Sequence, residues 1–451
     1  MLIRFTVTNY LSLKKDVEFD MLPDNQKWHQ NHIYSYNSID LLKITALYGS
    51  NGAGKSNLIK AISLLTKIVT EGDWNPVLDI KPFRLDPSCA KQPTYFEIEF
   101  IKNSKPYVYR LSLFNHSVVE ESLHESESGK DERKLFIRKT DNGRTKIDLS
   151  EDYLRNSQDE IRIQLYQNEF LKEYTPFLKL ISESKESFGE IKAAYEWFIN
   201  NLVIIFPKTR PTGLVERLSR SKEFKKFTDE LICSMHTGIT KIEINDIALD
   251  QFFGKDDQDI ADQIRDGLRH SKQAIQLRMP GNKEEVIAIL EGGKPVIKRV
   301  ISKHANKDGK LFDFFIDEES DGTIRLFDLI PTIYSALISE KTVLIDEIDQ
   351  SIHPALLKEL VRKFSIDQNT KGQLIFTTHE SNLLDQEIFR RDEIWFVEKN
   401  KNGETGLYPL SDYEIRADLD IRKGYLMGKF GAIPFLANLR DLNWDQYVVA
   451  E

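Results

Sequence analysis

Residues Gly49-Ser50-Asn51-Gly52-Ala53-Gly54-Lys55-Ser56 fit the pattern G-x-x-x-x-G-K-[ST]. They stand between a strand-like apolar run, Ile44 to Tyr48, and a helix-like run that starts at Asn57. Strand, glycine loop and helix in that order leave little freedom in the local fold. Glycines let the backbone curl until successive amide N–H groups face one centre, and the helix adds the positive end of its dipole. The ligand such a centre suits is a chain of phosphates. Ser50, Asn51, Gly52, Ala53, Gly54 and Asn57 form the predicted cradle, with Lys55 reaching the β- and γ-phosphates and the Ser56 hydroxyl on Mg²⁺. A bound nucleoside triphosphate is the expectation.

At 451 residues the chain exceeds one simple core, and two or three lobes are expected. It has no run of 18 apolar residues, so no membrane-spanning helix is expected. Its start, Met1 to Val7, alternates like a strand and lacks the apolar stretch of a signal peptide. Cys89 and Cys233 are far apart and without histidine neighbours at metal spacing, which reads as a reduced, cytoplasmic protein without structural zinc. Net charge is −9, which argues against wholesale coating of nucleic acid. The densest basic run, Glu216 to Lys226, also reads as a solvated helix face.

The first hundred-odd residues are strand-rich: Ile3–Asn9, Ile44–Tyr48, Tyr95–Ile101, Tyr107–Phe114 and Lys134–Lys139 alternate, and Lys102 to Lys105 reads as a hairpin turn. Residues 149–240 take helical spacing, broken by Pro207 to Gly213. Residues 241–316 are mixed, with strands at Lys241–Ile247, Val286–Leu290 and Lys298–Ser302. From 317 to 451 the pattern returns to α/β. Helices Thr323–Leu337 and Pro354–Phe364 alternate with short apolar strands Thr342–Ile345, Gln373–Thr377 and Ile394–Val397. That alternation implies a largely parallel sheet.

The strand Val343-Leu344-Ile345 ends in Asp346-Glu347. Ligands of open α/β sheets sit at the carboxyl ends of strands. There Asp346 can hold Mg²⁺, and Glu347 can polarise the water that attacks the γ-phosphate. Alone, two acids after an apolar run also fit a strand ending in solvated charge; the glycine loop favours the catalytic reading. The next strand ends in Thr378-His379, which places a hydrogen-bond donor for the γ-phosphate at its tip.

Glu318 to Thr323, Val343 to Asp349 and Thr377-Thr378-His379 follow in that order. Together they resemble the signature, Walker B, D-loop and H-loop of ABC-type ATPases, in the SMC, RecF and OLD-like group. Phe5 to Ser12 is similar to that group's opening strand and turn. Asp349 to Pro354, Arg390 to Ile394 and Gly424 to Ala432 resemble the family-15 AAA ATPases of bacteria, many encoded in anti-phage islands.

The resemblance implies an α/β fold, an ABC-type (SMC/RecF-like) P-loop ATPase head with a mixed sheet. A compact helical insertion, 149–240, interrupts it. It implies ATP and Mg²⁺ as ligands, and hydrolysis of ATP to ADP and phosphate. It also implies dimers in which Ser320 and Gly322 of a second copy close over the nucleotide. Two adjacent glycines are usual at that signature; Ser320-Asp321-Gly322 keeps one. Gln92 is a candidate for the glutamine loop. The implied role is a sensor and scaffold in phage defence. It would hold a separate TOPRIM-type nuclease effector and release it on sensing a phage protein. A homo-oligomer built from ATP-dependent dimers is expected. The alternative is an SMC/RecF-like ATPase that clamps DNA in repair or restriction.

Overall fold

The computed structural model describes residues 1–433 apart from 37–38, 72–79, 127–131, 142, 155–156, 185–187, 236, 272–273, 279–283 and 415–418. Residues 434–451 of the expected 317–451 segment lie outside the described residues. The chain divides into a terminal unit, Leu2–Asn200 with Ile375–Glu451, and a central unit, Asn201–Leu374 together with Met1.

In the terminal unit a seven-stranded antiparallel sheet has the order Arg144–Leu149, Arg133–Asp141, Ser117–Glu125, Lys105–Phe114, Thr94–Lys102, Leu2–Thr8, Val17–Asp20. Its alternation sets the core: Phe96, Ile98 and Phe100 of one strand point to the same face and are buried. Asn103 and Ser104 turn the expected hairpin with φ of 51° and 61°, the left-handed geometry that matches strand twist. The helix Gly189–Asn200 lays Trp197 on this sheet, its ring stacked on Phe100 at 4.3 Å between centroids. Burial of such a side chain contributes about 2–3 kcal/mol.

The strand Ile44–Tyr48 is buried at every residue and pairs in parallel with Ile394–Lys399, which pairs antiparallel with Thr405–Pro409. A strand covered on both faces reads as an unbroken apolar run, which is why its limits match the sequence expectation. The helix Lys55–Glu71 follows the loop and buries Leu58, Ile59, Ile62, Leu65 and Val69, a stripe at helical spacing.

In the central unit Leu202–Ile205 pairs in parallel with Thr342–Ile345. A second, antiparallel sheet runs Ile239–Ala248, Lys294–Ala305, Val286–Glu291, Ile275–Leu277, with Leu311–Phe315 also paired to Lys294–Ala305. Leu249, Phe253, Ile264 and Leu268 from two helices pack against Val286 and Ile297 of that sheet. The long helix Asp321–Ile338 contains Pro331, which has no N–H to give. Arg217 donates to the Pro331 carbonyl at 2.8 Å and to the Ser335 hydroxyl at 2.6 Å.

One expectation needs correcting. Residues 149–240 are not uniformly helical, because Leu202–Ile205 is a strand and the division between units falls at 200/201. Four apolar residues after a helix carry no period that separates strand from helix. The strands Ser117–Glu125, Arg144–Leu149, Leu311–Phe315 and Thr405–Pro409 were also unforeseen.

Candidate nucleotide site

The glycine loop is built from positions where a side chain does not fit. A Cβ on Gly49 would strike the Val397 carbonyl oxygen, and one on Gly54 the Thr405 side chain. Gly52 and Gly54 have φ of 79° and 116°, where glycine is the residue at ease. The first turn of the following helix carries no acid that would compete with a phosphate. Lys55 is 5% exposed, and its Nζ donates to the carbonyls of Gly49 at 2.7 Å and Ser50 at 3.3 Å. The ammonium is thus held against the loop's own carbonyls.

Two residues missed in the sequence strap this loop from behind. The Thr405 hydroxyl donates to the Ala53 carbonyl at 2.7 Å and lies 2.7 Å from Ser12 Oγ. Asn57 Nδ2 donates to Ser12 Oγ at 2.7 Å, so Asn57 serves the loop through its support. Ser12 lies within the Phe5-to-Ser12 match noted above, but nothing in a lone hydroxyl signals a partner 393 residues away.

His379 reaches the same place. The Thr378 amide donates to the Leu47 carbonyl at 3.1 Å, and His379 Nδ1 lies 3.4 Å from Lys55 Nζ. An ammonium has protons only to give, so a hydrogen bond between the two runs from Lys55 Nζ to Nδ1 and assigns the proton of the neutral ring to Nε2.

The other predicted groups belong to the central unit. Asp346 follows the buried strand Thr342–Ile345, is 3% exposed, and donates its amide to the Ile205 carbonyl at 2.8 Å. Glu347 is half-buried with φ of 53°, a left-handed conformation that a glutamate adopts at a cost of about 1–2 kcal/mol. Ser320 caps the helix Asp321–Ile338: its Oγ accepts from the Thr323 amide at 3.2 Å. A Cβ on Gly322 would come within 2.6 Å of the Ser351 carbonyl oxygen, so the predicted signature and D-loop touch through this glycine.

Gln92 is exposed, and its carbonyl accepts from Asn9 Nδ2 at 3.0 Å; its backbone, not its amide group, has a visible job. Arg390 is fully buried and holds Asp392 with two bonds, 2.9 and 2.6 Å, and the Trp28 carbonyl at 3.0 Å. That motif fastens the 24–32 segment to the start of the strand Ile394–Lys399. The segment Gly424 to Ala432 packs internally: Tyr425 and Phe430 stack on Phe396 at 5.6 and 5.7 Å.

Among the described residues no group of three or more His, Cys, Asp and Glu side chains could hold a metal by itself. Mg²⁺ carried by a triphosphate needs one or two hard protein oxygens, and the Ser56 hydroxyl and Asp346 carboxylate are of that kind. Among the described residues no helix is long and apolar enough to cross a membrane.

A fully buried strand, a glycine loop curled at its end and a helix with an acid-free first turn define a phosphate-binding loop of the mononucleotide class. The chain belongs to the family described as "AAA domain, putative AbiEii toxin, Type IV TA system", whose model matches residues 44–385. No curated protein matches it. Among solved structures it is similar to the SMC head domain from Thermotoga maritima, with 13% identity, 92% of this chain and 99% of that one covered, and a TM-score of 0.37. It is also similar to an Smc head with an extended coiled coil bound to the C-terminal domain of ScpA, derived from Pyrococcus furiosus. There the identity is 13%, coverage 95% and 98%, and the TM-score 0.37. A third is an SmcHead bound to the C-winged helix domain of ScpA, with 14% identity, coverage of 90% and 97% and a TM-score of 0.37.

Proposed function

We propose that this chain binds ATP with Mg²⁺, hydrolyses it to ADP and phosphate, and uses the cycle to hold and release a separate toxic effector. The observation that carries the first part is the glycine loop itself, with Lys55 held on the Gly49 carbonyl and His379 beside it. Backbone amides of Ser50 to Ser56 orient the phosphates. Lys55 balances charge on the β/γ bridge, and the Ser56 and Asp346 oxygens would hold Mg²⁺. Bound Mg²⁺ supplies charge neutralisation on the phosphates. Glu347 takes a proton from the attacking water, and His379 donates to a γ-phosphate oxygen from Nε2. Ser320 and Gly322 of a second copy close the site, so ATP joins two chains and hydrolysis loosens them.

The sequence features most resemble AriA, the ATPase subunit of the PARIS anti-phage system. By that resemblance the effector is an AriB-like TOPRIM nuclease, released when a phage protein is sensed. The family's own description, an AAA domain and putative AbiEii toxin of a Type IV TA system, supports a place in toxin–antitoxin biology. The basic run 216–226 supports a protein effector over DNA. Arg217 is spent on the Pro331 carbonyl, and Arg220 and Lys226 lie beside Glu216 and Glu230.

The test is nucleotide titration and phosphate release on the wild type, Lys55→Ala and Glu347→Gln, each purified with whatever accompanies it. Lys55→Ala should weaken ATP binding on the order of 100-fold. Glu347→Gln should keep affinity and lose turnover by about 10²–10⁴-fold. Unchanged affinity in the first variant removes the nucleotide assignment; wild-type turnover in the second removes Glu347 as base.

A further inference from the structure

The long helix Asp321–Ile338 carries a cation that the nucleotide reading does not use. Arg325 is 5% exposed, and its Nη1 donates to the Thr209 carbonyl at 3.3 Å. Its Nε and Nη2 are buried and have no hydrogen-bond partner among the described residues. Those two nitrogens form the guanidinium edge that grips an oxyanion with two parallel bonds. Two other arginines of this chain show that edge in use. Arg390 holds Asp392 on Nε and Nη2, and Arg299 holds Glu284 the same way, with Nε at 2.9 Å. Arg325 has no carboxylate there. A buried guanidinium with so little compensation destabilises a fold, so its retention calls for a use.

Arg325 lines a cleft of about 470 Å³ together with Lys208, Arg210, Asp321, Asp328 and Ser351. Lys208 and Arg210 stand in the loop after the parallel strand Leu202–Ile205, and α/β sheets take ligands at such strand ends. The 18-residue helix contributes Asp321 of its first turn and Arg325 of its second to the lining. Arg210 meets Asp328 only at 3.4 Å. Burial pushes the Asp328 carboxyl up from its ordinary value, while Arg210, Arg278 and Arg325 act to lower it.

We propose that this cleft is a second oxyanion site, separate from the glycine loop, which takes a phosphate or pyrophosphate group on Arg325, Arg210 and Lys208. A lone carboxylate would be satisfied by one guanidinium edge, as at Arg390; three cations against Asp321 and Asp328 leave the cavity net positive, which suits an anion. Because the Arg325 edge is enclosed, the wall around it opens as the anion enters. The proposal stands whether or not the glycine loop binds ATP.

The experiment is calorimetric titration of sodium pyrophosphate into the full chain carrying Lys55→Ala, which disables the glycine loop. ATP and sodium acetate are parallel probes. Saturable binding of one pyrophosphate per chain is expected, weakened at least tenfold by adding Arg210→Gln, Lys208→Gln or Arg325→Met, with acetate silent. Competition by ATP would assign the site to a nucleotide's phosphates, and indifference to ATP to the free anion. No pyrophosphate heat, or affinity unchanged by Arg210→Gln and Lys208→Gln, overturns the proposal. Without anion, Arg325→Met should raise the unfolding midpoint, since it removes an uncompensated buried charge; a purely structural arginine would lower it. Lys208 and Arg210 are exposed or half-buried, so their variants decide the matter even if Arg325→Met fails to fold.

Discussion

The glycine loop and the turn after the strand Thr342–Ile345 treat an unfavourable backbone in opposite ways. In the loop, left-handed positions are filled by Gly52 and Gly54, and the lysine ammonium rests on carbonyl oxygens. The loop's outer side is tied through Thr405 to Ser12 and Asn57. In the turn, left-handed positions are taken by Glu347 and Ser351, with φ of 53° and 62°. The helix in the same unit keeps Arg325 short of partners. The loop is relaxed and fastened, as a preorganised cradle should be. The turn and helix hold strain and uncompensated charge, which is where a conformational step can draw its driving force.

The largest effect that would break this contrast concerns the fastening around Arg390 in the terminal unit. His32 is fully buried and lies 3.0 Å from Glu393. Burial, with Arg390 and Lys43 nearby, pushes its pKa from 6.5 down to about 4, and burial pushes the Glu393 carboxyl well up from its ordinary value. Between those two His32 values the unfolded chain takes up a proton that the folded chain refuses. The His32 contribution to stability is therefore full above pH 6.5 and is lost toward pH 4, by roughly 3 kcal/mol. Asp392, pushed up to about 7 by burial, and Glu393, also pushed up, contribute with the opposite sign. Comparing urea unfolding of the wild type and His32→Gln at each pH cancels those contributions. Parallel stability profiles of the two proteins would show that His32 is not held neutral.

Next comes the strap. Thr405→Val keeps the shape but leaves the Ala53 carbonyl without its donor and Ser12 without its hydroxyl partner. A loss of about 2 kcal/mol in urea unfolding is expected, with weaker nucleotide binding alongside. A change below about 0.5 kcal/mol would mean that the loop holds its shape unaided.

How much of this was legible follows from range. Ile44–Tyr48, Thr342–Ile345 and Gln373–Thr377 were read to the residue because strands buried on both faces are unbroken apolar runs. Every loop glycine and Lys55 was legible because the curl demands those residue types. Leu202–Ile205 was not, since its four residues continue a helical stretch, nor was Leu311–Phe315, whose five residues are all exposed and so give no alternation. Thr405 and Arg325 were missed for a common reason. Their roles depend on a partner distant in the chain, or on the lack of one, and neither is a property of local sequence.

The smallest expected effect has the opposite sign and tests the strained side directly. Glu347→Gly removes the Cβ that resists φ of 53°. It also makes the unfolded chain more flexible, which offsets part of the gain. The net expectation is stabilisation by about 1 kcal/mol in urea unfolding, together with loss of turnover because the proposed base is gone. Glu347→Gln keeps the Cβ and should lose turnover without gaining stability. If glycine destabilises the chain instead, the left-handed turn is held by contacts of the glutamate side chain. Loop and turn would then be fastened in the same way, and the contrast between them would collapse.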